Sequence, residues 1–173
     1  VSTVAGVTIG NAGTVDLDGD VTGATTVTIS DVGTEIDLAA GVDITASGGN
    51  VDLNNTVAQI DLSGTTDTNT ISASGSVELA NVVDTGTTTA TSPVELVVTA
   101  GTGVTLGTVT LSNTLDVDFD TATGTSTLNA GSLSAGTIEV DGVGTNDVMN
   151  FGSTVVSTVA GVTIGNAGTV DLD

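Results

Sequence analysis

Carboxylates are nearly the whole of this chain's chemically capable inventory. Among its 173 residues are 21 Asp and Glu and no Lys, Arg, His, Cys, Trp or Tyr, for a formal net charge of -21. Two stretches place three Asp at alternate positions: Asp16, Asp18 and Asp20 in VDLDGD, and Asp116, Asp118 and Asp120 in LDVDFD. Alternate residues of an extended strand share one face, so each trio would present a row of oxygens, with Leu115, Val117 and Phe119 on the opposite side of the second. Hard oxygens suit hard cations, and Ca²⁺ tolerates carboxylate and carbonyl ligands in irregular geometry. Asp141 and Asp147, in the Gly/Asn-rich stretch 141–151, join the two trios as candidate calcium ligands. Apart from Ca²⁺, no cofactor is expected.

The residues that are missing decide as much. With no His, Cys, Lys, Arg or Tyr there is no common activator for a nucleophile, no Schiff-base amine, no phosphate clamp and no usual zinc site. Two carboxylates can hydrolyse a glycoside, but such sites also need sugar-stacking aromatics, of which the chain has only two Phe, and a raised pKa that an exposed strand face is not expected to supply. The reading is therefore not an enzyme. Nucleic acid is not expected as a partner, because neutralising phosphates takes cations on the protein. The same lack argues against an anionic membrane surface, and no run reaches the ~18 apolar residues of a spanning helix, so no membrane insertion is expected. Asp18-Gly19-Asp20 lacks the flanking helices and terminal Glu of an EF-hand.

The elements that would carry these carboxylates are short. Apolar-polar-apolar triplets recur, among them Val7-Thr8-Ile9, Val15-Asp16-Leu17, Val27-Thr28-Ile29, Ile36-Asp37-Leu38, Val51-Asp52-Leu53, Ile60-Asp61-Leu62 and Val77-Glu78-Leu79. Later members are Val94-Glu95-Leu96, Val104-Thr105-Leu106, Val109-Thr110-Leu111 and Val117-Asp118-Phe119. Each buries two aliphatics and sends its central residue outward, which is strand periodicity. Between them lie Gly, Asn, Ser, Thr and Asp, which favour tight turns. Almost no helix is expected, and the single proline, Pro93, precedes a predicted strand, where a missing donor does little harm. Asn54-Asn55-Thr56 matches a glycosylation sequon, and the stretch 87–93 could accept O-linked sugar, but such short matches arise by chance in a Thr-rich chain.

Residues 1–18, VSTVAGVTIGNAGTVDLD, recur without a change as residues 156–173. Eighteen identical positions point to a tandem array whose unit is 155 residues long. On this reading 1–155 is one full unit and 156–173 the start of the next, identical one.

Short strands at this spacing fit a β-sandwich array or a parallel β-solenoid. Sandwich domains usually fill a two-sheet core with large aromatics, and only Phe119 and Phe151 are present here. A solenoid needs only thin aliphatic layers, since each coil stacks on its neighbour. The expected fold is therefore all-β, a parallel β-solenoid (β-helix) of tandem repeats, with the sandwich array as the alternative. Coils of ~20 residues would give about seven or eight per unit and, at ~4.8 Å per coil, roughly 35 Å of rod.

The triplets, the Gly/Asn/Ser turns and the long repeat resemble the giant β-strand-repeat surface proteins of bacteria. The nearest classes are filamentous-haemagglutinin-like and autotransporter-passenger β-helices, and S-layer or RTX-type adhesins. Residues 141–151, DGVGTNDVMNF, are similar to an RTX calcium-binding turn but depart from its Gly-Gly-x-Gly-x-Asp pattern. The resemblance implies a secreted, cell-surface-associated fibre, layer or adhesin, and the expected role is a structural repeat segment of a long extracellular fibre or surface filament, whose unbalanced carboxylates would let divalent cations bundle it. Alternatives in the same setting are the stalk of a cell-surface adhesin and an S-layer protein. The implied partners are other copies of the repeat. Stacked like charges ~4.8 Å apart cost ~1 kcal/mol each in water, and Ca²⁺ or high salt is expected to relieve them.

Overall fold

The computed structural model describes residues 5–54, 58–62, 67–85, 94–120 and 124–173. Among the described residues the chain forms strands and no helix. The strands are β1 (Val7–Leu17), β2 (Val21–Gly23), β3 (Val27–Leu38), β4 (Asp43–Ala46), β5 (Val51–Leu53) and β6 (Gln59–Leu62). Next come β7 (Asn69–Ala73), β8 (Ser76–Leu79), β9 (Asn81–Val83), β10 (Val94–Ala100), β11 (Gly103–Leu106) and β12 (Val109–Thr110). The last six are β13 (Thr114–Phe119), β14 (Thr127–Ala130), β15 (Leu133–Asp141), β16 (Val148–Phe151), β17 (Val155–Gly165) and β18 (Thr169–Leu172).

Every pairing between these strands is parallel. Parallel neighbours joined by short turns leave one solution, a chain wound as a β-solenoid, and the sandwich alternative is set aside. Three faces run along the rod. The first is built from the leading halves of β1 and β3, then β5, β8, β11, β14, β16 and β18. The trailing halves of β1 and β3 with β6, β9, β12 and the starts of β15 and β17 form the second. The third consists of β2, β4, β7, β10, β13 and the ends of β15 and β17.

The interior is made of stacked columns of like residues. On the first face Val7, Val27, Val51, Val77, Val104, Leu128 and Met149 lie in register, marking six successive turns. The second face stacks Val15, Ile36, Ile60 and Val82 beside Leu17, Leu38 and Leu62. Third-face Ile44, Ile71, Val98, Val117 and Val140 run beside a narrow column of Gly23, Ala46, Ala73, Ala100 and finally Phe119. Nearly all are buried, and each fully buried aliphatic stabilises by ~1.5–3 kcal/mol relative to exposure. Large faces small where a column changes: Phe151 lies opposite Ala130.

In-register partners are 19 to 27 residues apart, as in Leu96 with Leu115 and Leu96 with Asn69. Three strands and three corners need more chain than the ~20 residues expected per coil. The 155 residues from Val7 to Val162 therefore make between six and seven turns, not the seven or eight expected. The sequon residues Asn55 and Thr56, the stretch 87–93 and Pro93 lie outside the described residues.

Corners are tied to the neighbouring coil. Asn69 is buried, and its Nδ2 donates to the carbonyls of Ala39 at 2.8 Å and Val42 at 3.3 Å. Gly101 passes so close to the coil before it that a Cβ there would lie 1.9 Å from the Ser74 carbonyl oxygen. Asn11 and Asp31, one above the other, both turn the chain with positive φ, 57° and 55°, a conformation that Asn and Asp tolerate better than other side chains.

Candidate functional site

The carboxylates follow from the pleat. Where a triplet buries its outer residues, the central Asp or Glu must face outward, and register then stacks it on the central residue of the next coil. On the third face Asp116 pairs in register with Glu139 and Asp118 with Asp141, giving a two-by-two array across β13 and β15. Partial burial, followed by the neighbouring Asp118, Glu139 and Asp141 charges, raises the Asp116 pKa from its usual 3.8 to about 6. Asp118 is raised too, by burial first and then by Asp141 and Glu139. Both shifts favour the protonated form, because ionising these groups together, with no Lys, Arg or His in the chain, is costly.

A second ladder runs down the second face: Asp16, Asp37 and Asp61 occupy the same position in three successive coils. Asp61 is buried and accepts hydrogen bonds from the Thr85 amide at 3.1 Å and from the Thr85 hydroxyl. Between its two like-charged neighbours, Asp37 has a buried Oδ1 with no hydrogen-bond partner. The first face pairs Asp52 with Glu78, is interrupted by Thr105 and continues as Asn129, Asn150 and Asp171, with Asn150 Nδ2 donating to Asn129 Oδ1 at 2.9 Å.

The sequence candidates separate into three groups. Asp116, Asp118 and Asp141 lie together in the third-face array, while Asp120 falls just past the end of β13. Strand β1 ends at Leu17, so only Asp16 sits on a ladder. Asp18 and Asp20 are exposed beyond the strand end, and Asp20 Oδ1 accepts the Asp43 amide at 3.1 Å. Asp147 is buried, accepting the Ser126 amide at 2.8 Å on Oδ1 and the Val143 and Gly144 amides at 2.9 and 3.0 Å on Oδ2.

Asp147 thus closes its own loop by tying residues 143–144 to the previous coil, and stretch 141–151 ends not in a second calcium turn but in strand β16. Among the described residues no group of three or more carboxylates converges in a way that could hold a metal ion. Sequence reading named Asp16, Asp116, Asp118 and Asp141 but not Asp37, Asp61 or Glu139 as site residues. Asp37 and Asp61 were visible as triplet centres; their alignment with Asp16 depends on coil lengths that the sequence does not print.

Comparison of the chain with protein-family models, with curated proteins and with solved structures returns no match.

Proposed function

We propose that the chain is a structural repeat segment of a long extracellular fibre or surface filament, in which tandem units continue one another as a single stiff solenoid. The observation that carries this reading is the state of the last coil. Val162 and Val170 are 42% exposed and Leu172 69%, although they repeat Val7, Val15 and Leu17, of which the last two are buried beneath β3. An apolar rung of strands with an unpaired edge is a template for another strand, and the same sequence already accepts one at residues 27–38.

The location outside the cell is part of the proposal. It rests on the absence of Lys and Arg, which denies trypsin-like proteases a cleavage point, and on the acidic surface, which keeps long rods from collapsing on one another. Cations serve such a rod as a diffuse atmosphere along its ladders, and divalent ions bridge carboxylates of neighbouring rods. Imaging the native assembly by electron microscopy tests the proposal. Thin continuous filaments at the cell surface are expected; a planar lattice would mean an S-layer instead, and cytoplasmic particles would overturn the reading.

A further inference from the structure

The duplicated peptide sits on different faces of the rod in its two copies. In the first, Val7-Thr8-Ile9 lies on the first face and Val15-Asp16-Leu17 on the second, both against β3. In the second, Val162-Thr163-Ile164 pairs with Ile138-Glu139-Val140 on the third face, and Val170-Asp171-Leu172 pairs with Met149-Asn150-Phe151 on the first. Between the two halves Asn11 and Asn166 turn the chain with nearly the same φ, 57° and 53°. The peptide is therefore a portable strand, corner and strand that fits two different corners of the rod. From Val7 to Val162 the chain makes six turns and passes two further faces.

We infer that successive 155-residue units are rotated about the rod by one face, the open edge of Val162–Leu172 receiving the following copy's equivalent of Val27–Leu38, so that only every third unit shows the same side chain on the same side. This rests on the tandem-rod reading above. The occupant is chosen by identity: Val7, Ile9, Val15 and Leu17 are met in register by Val27, Ile29, Ile36 and Leu38, and Val162, Ile164, Val170 and Leu172 are the same four residues repeated.

A unit of six and two-thirds turns advances the rod by ~32 Å, and the true structural period is three units, roughly 465 residues and ~96 Å at ~4.8 Å per coil. The acidic array of Asp116, Asp118, Glu139 and Asp141 would move from the third face to the second and then to the first in consecutive units. No side of the rod is then continuously acidic, and a laterally packed copy meets a carboxylate patch whichever side it approaches. A whole number of turns per unit would instead concentrate every patch on one stripe.

Double-cysteine variants of the 173-residue chain test the rotation, and the natural sequence has no Cys to interfere. In-register neighbours on parallel strands are ~4.8 Å apart, inside the Cα range of a disulfide. Glu139→Cys with Thr163→Cys reports the rotated register; Asn150→Cys with Thr163→Cys, which the described coils do not bring into register because Asn150 pairs with Asp171, is the mismatched pair. Thr8→Cys with Thr28→Cys, partners inside the first unit, reports the solenoid itself. The expected result is disulfide formation at 8/28 and 139/163, with at least tenfold less at 150/163. A bond at 150/163 in place of 139/163, or none at either while 8/28 forms, overturns the rotation and leaves the rod standing. Loss of the 8/28 bond removes the solenoid and both readings with it.

Discussion

Gly101 and Gly13 differ in what stands next to them. A methyl at Gly101 would overlap the Ser74 carbonyl, whereas one at Gly13 would meet nothing within 4 Å. Backbone cannot swing aside as a side chain can, so Gly101→Ala should cost ~1–3 kcal/mol and Gly13→Ala should be close to neutral. Thermal melts of the two variants check this, and equal effects would mean that the coils do not approach as closely as described. Asp116 gives a second residue-scale expectation. Its folded pKa of about 6 lies above the ordinary 3.8, so the folded state holds a proton that the unfolded chain releases. The stabilisation linked to that proton is fully present below about pH 4 and is lost as pH rises through about 6. Melting temperature should therefore be higher at pH 5 than at pH 7.5, and Asp116→Asn should narrow the difference by raising the value at pH 7.5. An unchanged pH profile in the variant would show that the array is not the source.

At the scale of the strand, the sequence was legible through most triplets that kept two large apolar residues, although Ile138-Glu139-Val140 in β15 escaped notice. All eleven triplets named from the sequence lie on or at the end of a strand, from β1 to β13. Missed were those whose second inward residue is small: Ile44-Thr45-Ala46 in β4, Ile71-Ser72-Ala73 in β7 and Leu128-Asn129-Ala130 in β14. Alanine carries little hydrophobic signal, yet on the third face Ala46, Ala73 and Ala100 stack in register as a buried column. Burial still identifies which strand residues matter. Leu38→Ala, in a fully buried column position, should cost ~2–5 kcal/mol, read as a shift in urea midpoint. The ladders predict an unusual salt response. Carboxylates ~4.8 Å apart lie well inside the ~10 Å Debye length of 0.1 M salt and beyond the ~3 Å of 1 M. Melting temperature should keep rising between 0.1 and 1 M NaCl instead of levelling off near 0.1 M, and a plateau at the lower value would remove ladder repulsion as a significant term.

For the molecule as a whole, the repeat and the solenoid could be read from the residues, but the number of turns and the phase could not. Coil length depends on how much chain each corner takes, and corners here range from the tight turn at Asn11 to the loop that Asp147 closes with three backbone bonds. The same gap hid the Asp16, Asp37 and Asp61 ladder, since which carboxylates meet is decided by the coil lengths between them. What joins these scales is the claim that one unit continues into the next without a break in the stack. Small-angle X-ray scattering of chains carrying one, two and four units measures this directly. A continuous stack gives a maximum dimension that grows by ~32 Å per added unit at constant cross-section; a cross-section that widens with unit number, or a string of separate globules, would mean that the stack breaks between units.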